Sequence, residues 1–212
     1  MIINFTKNNK FTTRISLNEE NIEIVNKMKI LGTIITDNLS WDDNCSAIIG
    51  KVNQRMLLIK KLQSFGATME EMSHLWITYC RSVLEQSSVV WGSSLTQENK
   101  DDLERTHKSF AKLILRKQYK TESEKSYEDS LLKLNLETLE SRRNLLLLEF
   151  SNNCIKNGKL NDLLQKNENI HPMDTRLHEE FAVLHANTER LKKSSIIHMQ
   201  NLQNNQLKEK KP

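Results

Sequence analysis

Thr68-Met-Glu-Glu-Met-Ser-His-Leu-Trp-Ile-Thr-Tyr-Cys-Arg-Ser-Val83 decides the fold. Its apolar residues Met72, Leu75, Trp76, Tyr79, Cys80 and Val83 recur at i, i+3, i+4, i+7, i+8 and i+11, the spacing of one buried helix face. Thr68 opens the helix, Glu70 and Glu71 stand in its first turn, and Gly66 closes the element before it. The same period extends in both directions. Upstream, Ser40 or Asp42 caps a helix running to about Phe65, with Ile48, Val52, Met56, Ile59 and Leu62 inward. Downstream, Thr96 caps a third helix running to about Lys117, with Leu103, His107, Phe110, Ala111 and Ile114 on one face. A polar linker over 118–125 leads to a short helix, Tyr127–Leu134, and then a long one from about Thr138 to Asn157. The long helix is expected to bury Leu139, Leu146, Leu147, Phe150 and Cys154 before Gly158 stops it. Residues 159–180 read as polar loop, Phe181–Leu184 as a short strand and Ser194–Gln203 as a last helix. A lysine-rich tail, 204–212, is expected to fray.

The first 36 residues follow period two instead. Phe11–Leu17 alternates and is β-branched, and Ile22–Val25 follows a turn at Asn18–Asn21. Met28–Ile35 reads as a third, longer strand. So few strands cannot stand alone in water. The fold class is therefore α+β, mainly α, with a small N-terminal antiparallel β element followed by a helical bundle. Only 5 Gly and 2 Pro occur in 212 residues, which excludes collagen, flexible tethers and turn-dense β-sandwiches. The hydrophobic fraction, 37%, lies below the roughly 45–50% of an average domain even with glycine counted. The core is thus expected to be incomplete, or partly covered by another surface. The net charge of +4 is mildly basic and does not by itself identify a nucleic-acid partner. Cys45, Cys80 and Cys154 are odd in number and widely spaced, so neither a disulfide framework nor a zinc site is expected. No signal-peptide pattern or membrane-spanning apolar run is present. An intracellular location, cytoplasmic or nuclear, is expected.

Four segments carry more information than composition. They are Lys29-Ile-Leu-Gly-Thr-Ile-Ile-Thr-Asp-Asn-Leu-Ser-Trp41, Arg81-Ser-Val-Leu-Glu-Gln-Ser-Ser-Val-Val-Trp91, Leu103-Glu-Arg-Thr-His-Lys-Ser-Phe-Ala-Lys-Leu-Ile-Leu115 and Leu134-Asn-Leu-Glu-Thr-Leu-Glu-Ser-Arg-Arg143. In this order the set resembles the C-terminal part of the reverse transcriptases (RNA-directed DNA polymerases) of non-LTR retrotransposons, the jockey-like LINE group of transposable elements. The resemblance spans residues 2–205 or so. It implies that residues 1–39 are the end of the palm with its primer-grip strands, that 40–158 are a helical thumb domain, and that 159–212 are a polar extension. It also implies that Lys29, Leu31 and Gly32 lie against nucleic acid, since a glycine lets a strand approach the backbone closely. A bulge or tight packing is the alternative explanation of that glycine. The sequence departs from the family pattern at Asn44, Gln86 and His107.

Polymerases of this kind need an aromatic-x-Asp-Asp hairpin and a further carboxylate to hold two metal ions. Here Asp42-Asp43 and Asp101-Asp102 each open a helix, where carboxylates suit the dipole, and neither sits on a strand hairpin. The chain is therefore read as a fragment without fingers or most of the palm. No catalytic residue, metal ligand or cofactor is expected in it, and Mg2+ would belong to the missing palm.

The remaining functional signal is basic. Arg105, Lys108, Lys112 and Arg116 share one face of the third helix, and Lys117 and Lys120 follow. Lys51 and Arg55, with Lys60 and Lys61, form a second patch. Such faces hold template–primer by its phosphates without reading sequence, or else are ordinary solvated faces matched to the helix dipole. Arg142 and Arg143 match paired arginines of the family and suit either an internal ion pair or RNA contact. Trp41, Trp76 and Trp91 suit core packing better than base stacking. Two functions follow as expectations. One is a template–primer-binding polymerase fragment, inactive alone. The other is a non-enzymatic helical interaction module, a domesticated or truncated remnant whose partner is the missing palm and fingers or another protein.

Overall fold

The computed structural model describes residues 1–5, 15–17, 19–115, 127–159, 162–167 and 180–209. Two small antiparallel hairpins begin the chain. Strand β1 (Ser16–Leu17) pairs with β2 (Glu20–Asn21), and β3 (Lys27–Ile30) pairs with β4 (Thr33–Thr36) in a register that sets Lys27 against Thr36 and Ile30 against Thr33. The single strand expected over Met28–Ile35 is thus a two-residue hairpin. Leu31 (φ 47°) and Gly32 (φ 91°) are both left-handed, the backbone of a type I′ turn, which matches the twist of the flanking strands. The strand expected over Ile22–Val25 is reduced to one parallel bridge, Ile2 to Ile24. Most of Phe11–Leu17 lies outside the described residues.

Helix α1 (Asp42–Ser64) follows. Next comes a rod made of α2 (Met69–Leu75), a π-helical turn (Trp76–Arg81) and α3 (Ser82–Glu85). Thr68 and Glu71 form the capping box that starts it, with Thr68 N donating to Glu71 Oε2 (2.8 Å) and Glu71 N to Thr68 Oγ1 (3.2 Å). The wide turn changes which residues face inward. Cys80 and Leu84 are buried, whereas Tyr79, expected on the buried stripe, is exposed. A π turn takes an extra residue per turn and rotates everything after it.

Short α4 (Ser88–Trp91) and a 3-10 turn (Gly92–Ser94) lead to α5 (Gln97–Leu115). Helices α1 and α5 run parallel. Asn99 Nδ2 donates to Asp42 Oδ1 (2.7 Å) at one end and Gln63 Nε2 donates to the Leu113 carbonyl (3.1 Å) at the other. Between them lies the main core, built on fully buried Trp76, Trp91, Phe110, Leu103 and Ile59. The Trp76 indole stacks on Phe110 (4.1 Å between centroids) and on His107 (5.3 Å). All three tryptophans are therefore core residues.

Helix α6 (Tyr127–Lys133) and α7 (Leu139–Lys156) complete the body. The inward face of α7 is Arg143, Leu147, Ser151 and Cys154, at i, i+4, i+8 and i+11. Two polar members hid this stripe from hydrophobic periodicity. Phe150, expected inward, is exposed. A second apolar cluster joins Leu147 and Cys154 to Leu164, Phe181 and Met199.

The C-terminal part departs most from expectation. Phe181 makes a single bridge to Lys166 rather than a strand. After one turn, α8 (Glu189–Lys192), helix α9 extends over Ser195–Glu209, past the point where fraying was expected. Buried amides explain this. Asn204 accepts from Phe181 N (2.9 Å) and donates to Phe181 O (3.0 Å), and Gln200 accepts from Leu184 N (3.1 Å) and donates to Leu163 O (2.8 Å). These side chains replace the ladder partners that the extended segment lacks.

Candidate nucleic-acid interface

The β3–β4 turn projects from the body and is fixed from behind by three contacts. Gln86 Nε2 donates to the Leu31 carbonyl (3.0 Å). The Ile34 N–H donates to Oδ1 of buried Asn44 (3.1 Å), and Lys27 pairs with Asp43 (3.0 Å). Gly32 is required twice over, by its left-handed φ and by space, since a Cβ there would stand 2.6 Å from Gln86 Nε2. Leu31 has no such relief. It holds a left-handed conformation as a branched residue while 90% exposed. Lys29 is exposed on β3. The hairpin packs on α1 and offers a tip with one exposed side chain, Leu31, beside a half-buried Gly32 covered by Gln86.

Arg105, Lys108 and Lys112 are all exposed on one face of α5. Arg105 pairs with Asp102. The Lys108 ammonium lies 4.9 Å from the Tyr127 ring centroid, so this stripe borders α6 rather than the hairpin. Arg116, Lys117 and Lys120 lie outside the described residues. Lys51 is half-buried on α1. Arg55, half-buried, is engaged at the surface by its own chain: its guanidinium sits 4.1 Å over the exposed Tyr79 ring and donates to the Tyr79 carbonyl within the π turn.

The paired arginines are likewise engaged by their own chain. Arg142 forks onto Glu85 (3.0 and 3.4 Å). That bond holds its guanidinium above the usual arginine range. The stem of buried Arg143 runs past Gly92, where a Cβ would approach it to 3.1 Å. Burial lowers the Arg143 pKa, against the opposing charges of Glu104 and Glu140.

The carboxylate pairs are spent locally. Asp42 accepts from Ser40 and from Asn99, and these bonds hold it below the usual range. Asp43 takes Lys27, Asp101 accepts from Gln97 (2.9 Å) and Asp102 takes Arg105. Among the described residues no three His, Cys, Asp or Glu side chains converge to hold a metal ion.

Glu104 was not legible as a special residue. It receives the Tyr127 hydroxyl and the Leu139 N–H (3.1 Å), joining α5, α6 and the start of α7. Burial alone would raise its pKa. The His107 imidazole beside it, the Tyr127 hydroxyl and the Leu139 N–H together bring it below the usual range. Burial and Glu104 push the Tyr127 phenol up. Since Tyr127 donates to Glu104, His107 Nδ1 donates to the Tyr127 oxygen (3.2 Å), which leaves His107 Nε2 buried without a partner.

Asn44, Gln86 and His107 are therefore structural. Asn44 and Gln86 hold the hairpin backbone, and His107 stacks in the core. Nothing in one sequence marks Asn44 or Gln86, because each acts on backbone 10 and 55 residues away.

No family model matches the sequence, and neither a curated protein nor a solved structure matches it. No helix among the described residues is long and apolar enough to cross a membrane.

Proposed function

We propose that the chain is the palm-end and thumb portion of a non-LTR retrotransposon reverse transcriptase, working inside the cell in the cytoplasm or nucleus. In this reading it grips template–primer and does not synthesise DNA alone. The observation that carries the reading is the locked β3–β4 tip. Leu31 stands 90% exposed at the tip beside half-buried Gly32, while Gln86 and Asn44 restrain the backbone behind them. The exposed Leu31 side chain at such a tip suits packing against a nucleic-acid strand, whereas Gly32 is accounted for by its left-handed φ and by Gln86, which fills its Cβ space. Exposed Lys29, Lys108 and Lys112 supply charge for phosphates, a sequence-independent and salt-sensitive mode. The catalytic carboxylates and Mg2+ belong to the palm in this reading, and the spent aspartate pairs here do not substitute for them.

The test is a gel shift of an RNA–DNA hybrid across salt. The expected result is binding at low salt that weakens steeply as salt rises. Absence of binding at low salt would refute the reading. A second reading, a non-enzymatic interaction module, is favoured by one observation: Leu57, Leu58 and Phe65 are exposed along the outer side of α1. Self-association or partner binding without nucleic-acid affinity would support it.

A further inference from the structure

The structure assigns a phosphate-binding pocket to the seam where the β4–α1 turn, the start of α5 and the α8 turn meet. This inference does not rest on the hairpin tip or on template–primer binding. A cavity of about 300 Å3 opens there, lined by Trp41 from the first segment, Ser94, Thr96 and Asn99 from the second, and Arg190 and Lys193 from the third. Such a volume lies at the lower end of small-ligand sites, about 300–1,000 Å3. Three donors in the lining have nothing to bond. Trp41 is only 8% exposed, and a buried indole N–H ordinarily finds an acceptor. Trp91 donates to the Gln86 carbonyl (3.0 Å) and Trp76 Nε1 is sealed in the core, whereas Trp41 Nε1 is neither bonded among the described residues nor sealed. Arg190 and Lys193 are exposed and make no ion pair or side-chain hydrogen bond among the described residues.

The other polar groups of the lining are engaged. Ser94 Oγ donates to the Lys193 carbonyl (2.9 Å), Thr96 Oγ1 accepts from Asn99 N (3.2 Å), and Asn99 Nδ2 donates to Asp42 Oδ1 (2.7 Å). Glu189, the carboxylate at the rim, is paired with Lys192 (2.6 Å). Asp42, nearby, is spent on Ser40 and Asn99. The two cations also rise from a fixed backbone. Thr188 Oγ1 accepts from Leu191 N (3.2 Å), which caps α8, and Ser195 Oγ donates to the Val90 carbonyl (2.9 Å), which pins the following residues to α4. Unused donors and unspent positive charge around one cavity call for an anion rich in acceptors. An arginine fork and a lysine point charge both suit phosphate. Donors on the floor and at the rim reach different oxygens of a tetrahedral oxyanion, whereas a planar carboxylate presents two. The same chemistry is carried by free phosphate and by the phosphodiester of a nucleic-acid strand.

The test is calorimetric titration of the full chain at low salt with two probes, inorganic phosphate and an oligothymidylate without terminal phosphates. The expected result is saturable binding of at least one. R190A and K193A should each weaken it about tenfold, the equivalent of one charge-assisted hydrogen bond. Their urea midpoints should not move, since neither side chain is bonded in the folded chain. W41F keeps the ring and loses the N–H, and should weaken binding several-fold, with its urea midpoint reporting any change in packing separately. Binding of inorganic phosphate identifies a free phosphate group as ligand, and binding of oligothymidylate alone identifies a nucleic-acid strand. A failed shift of the RNA–DNA hybrid beside intact phosphate binding would separate this pocket from the template–primer reading. Binding of neither probe overturns the proposal. So does binding indifferent to both R190A and K193A.

Discussion

Gln86 Nε2 donates to the carbonyl of Leu31 across 3.0 Å, joining the end of the π-containing rod to a hairpin tip 55 residues earlier. The bond holds a left-handed, exposed leucine in place, and its donor fills the space that a side chain on Gly32 would need. The pair therefore couples backbone conformation at the tip to the helical body.

Q86A should destabilise the chain by about 0.5–1.5 kcal/mol, the net value of one such bond, and raise hydrogen exchange at β3–β4 amides. G32A should cost more, since it adds a clash and a strained φ. The double variant should cost less than the sum, because removing Gln86 removes the clash. Additive urea-denaturation values would refute the coupling.

E104Q should cost about 1.5–3 kcal/mol at neutral pH, the range for hydrogen bonds to a charged group. The sign with pH follows from the lowered folded value. A depressed carboxyl contributes stability that is fully present above its unfolded pKa, ordinarily 4.5. That stability is lost as pH falls through the lower folded value. The gap between wild type and E104Q in urea midpoint should therefore close on acidification below about pH 4.5. A gap constant with pH would exclude the charged carboxylate as its source.

The three thiols should be silent in the native state. Cys45, Cys80 and Cys154 are buried, and burial pushes Cys45 up to about 12 and Cys80 up to about 11. Thiolate is the reactive form. Alkylation at pH 8 should leave all three unmodified until urea unfolds the chain. Rapid labelling of the folded protein would contradict the packing.

Lys112 and Arg55 should behave oppositely. K112E should weaken hybrid binding and lower the salt slope by about one phosphate contact, with little change in stability. R55A should lower stability by removing the donor and stacking partner of Tyr79, with an unchanged salt slope for the folded protein. The comparison is a salt titration paired with a urea melt. Equal salt slopes for wild type and K112E would remove Lys112 from the interface.

The helices were readable from the sequence because their signals are local. The 3.6-residue period, the caps at Thr68, Thr96 and Thr138, and the left-handed glycines 66 and 158 lie within a few residues of what they control. The candidate site was readable as residue types, Lys29, Leu31 and Gly32, and the resemblance implied a hairpin there, but the periodicity read Met28–Ile35 as one strand and did not show the turn at Leu31–Gly32. What the sequence hid depends on distant partners. Tyr79 faces outward because the rod widens by a π turn. Asn204, Gln200, Arg143 and Glu104 are polar, and periodicity assigns such residues to the surface. Asn204, Gln200 and Arg143 are buried and Glu104 half-buried, and for Asn204, Gln200 and Glu104 the fold brings a backbone amide, a carbonyl or a hydroxyl to each. Apolar burial follows from pattern alone, since it needs only exclusion from water. Polar burial needs one specific partner in reach, and only the tertiary structure supplies it.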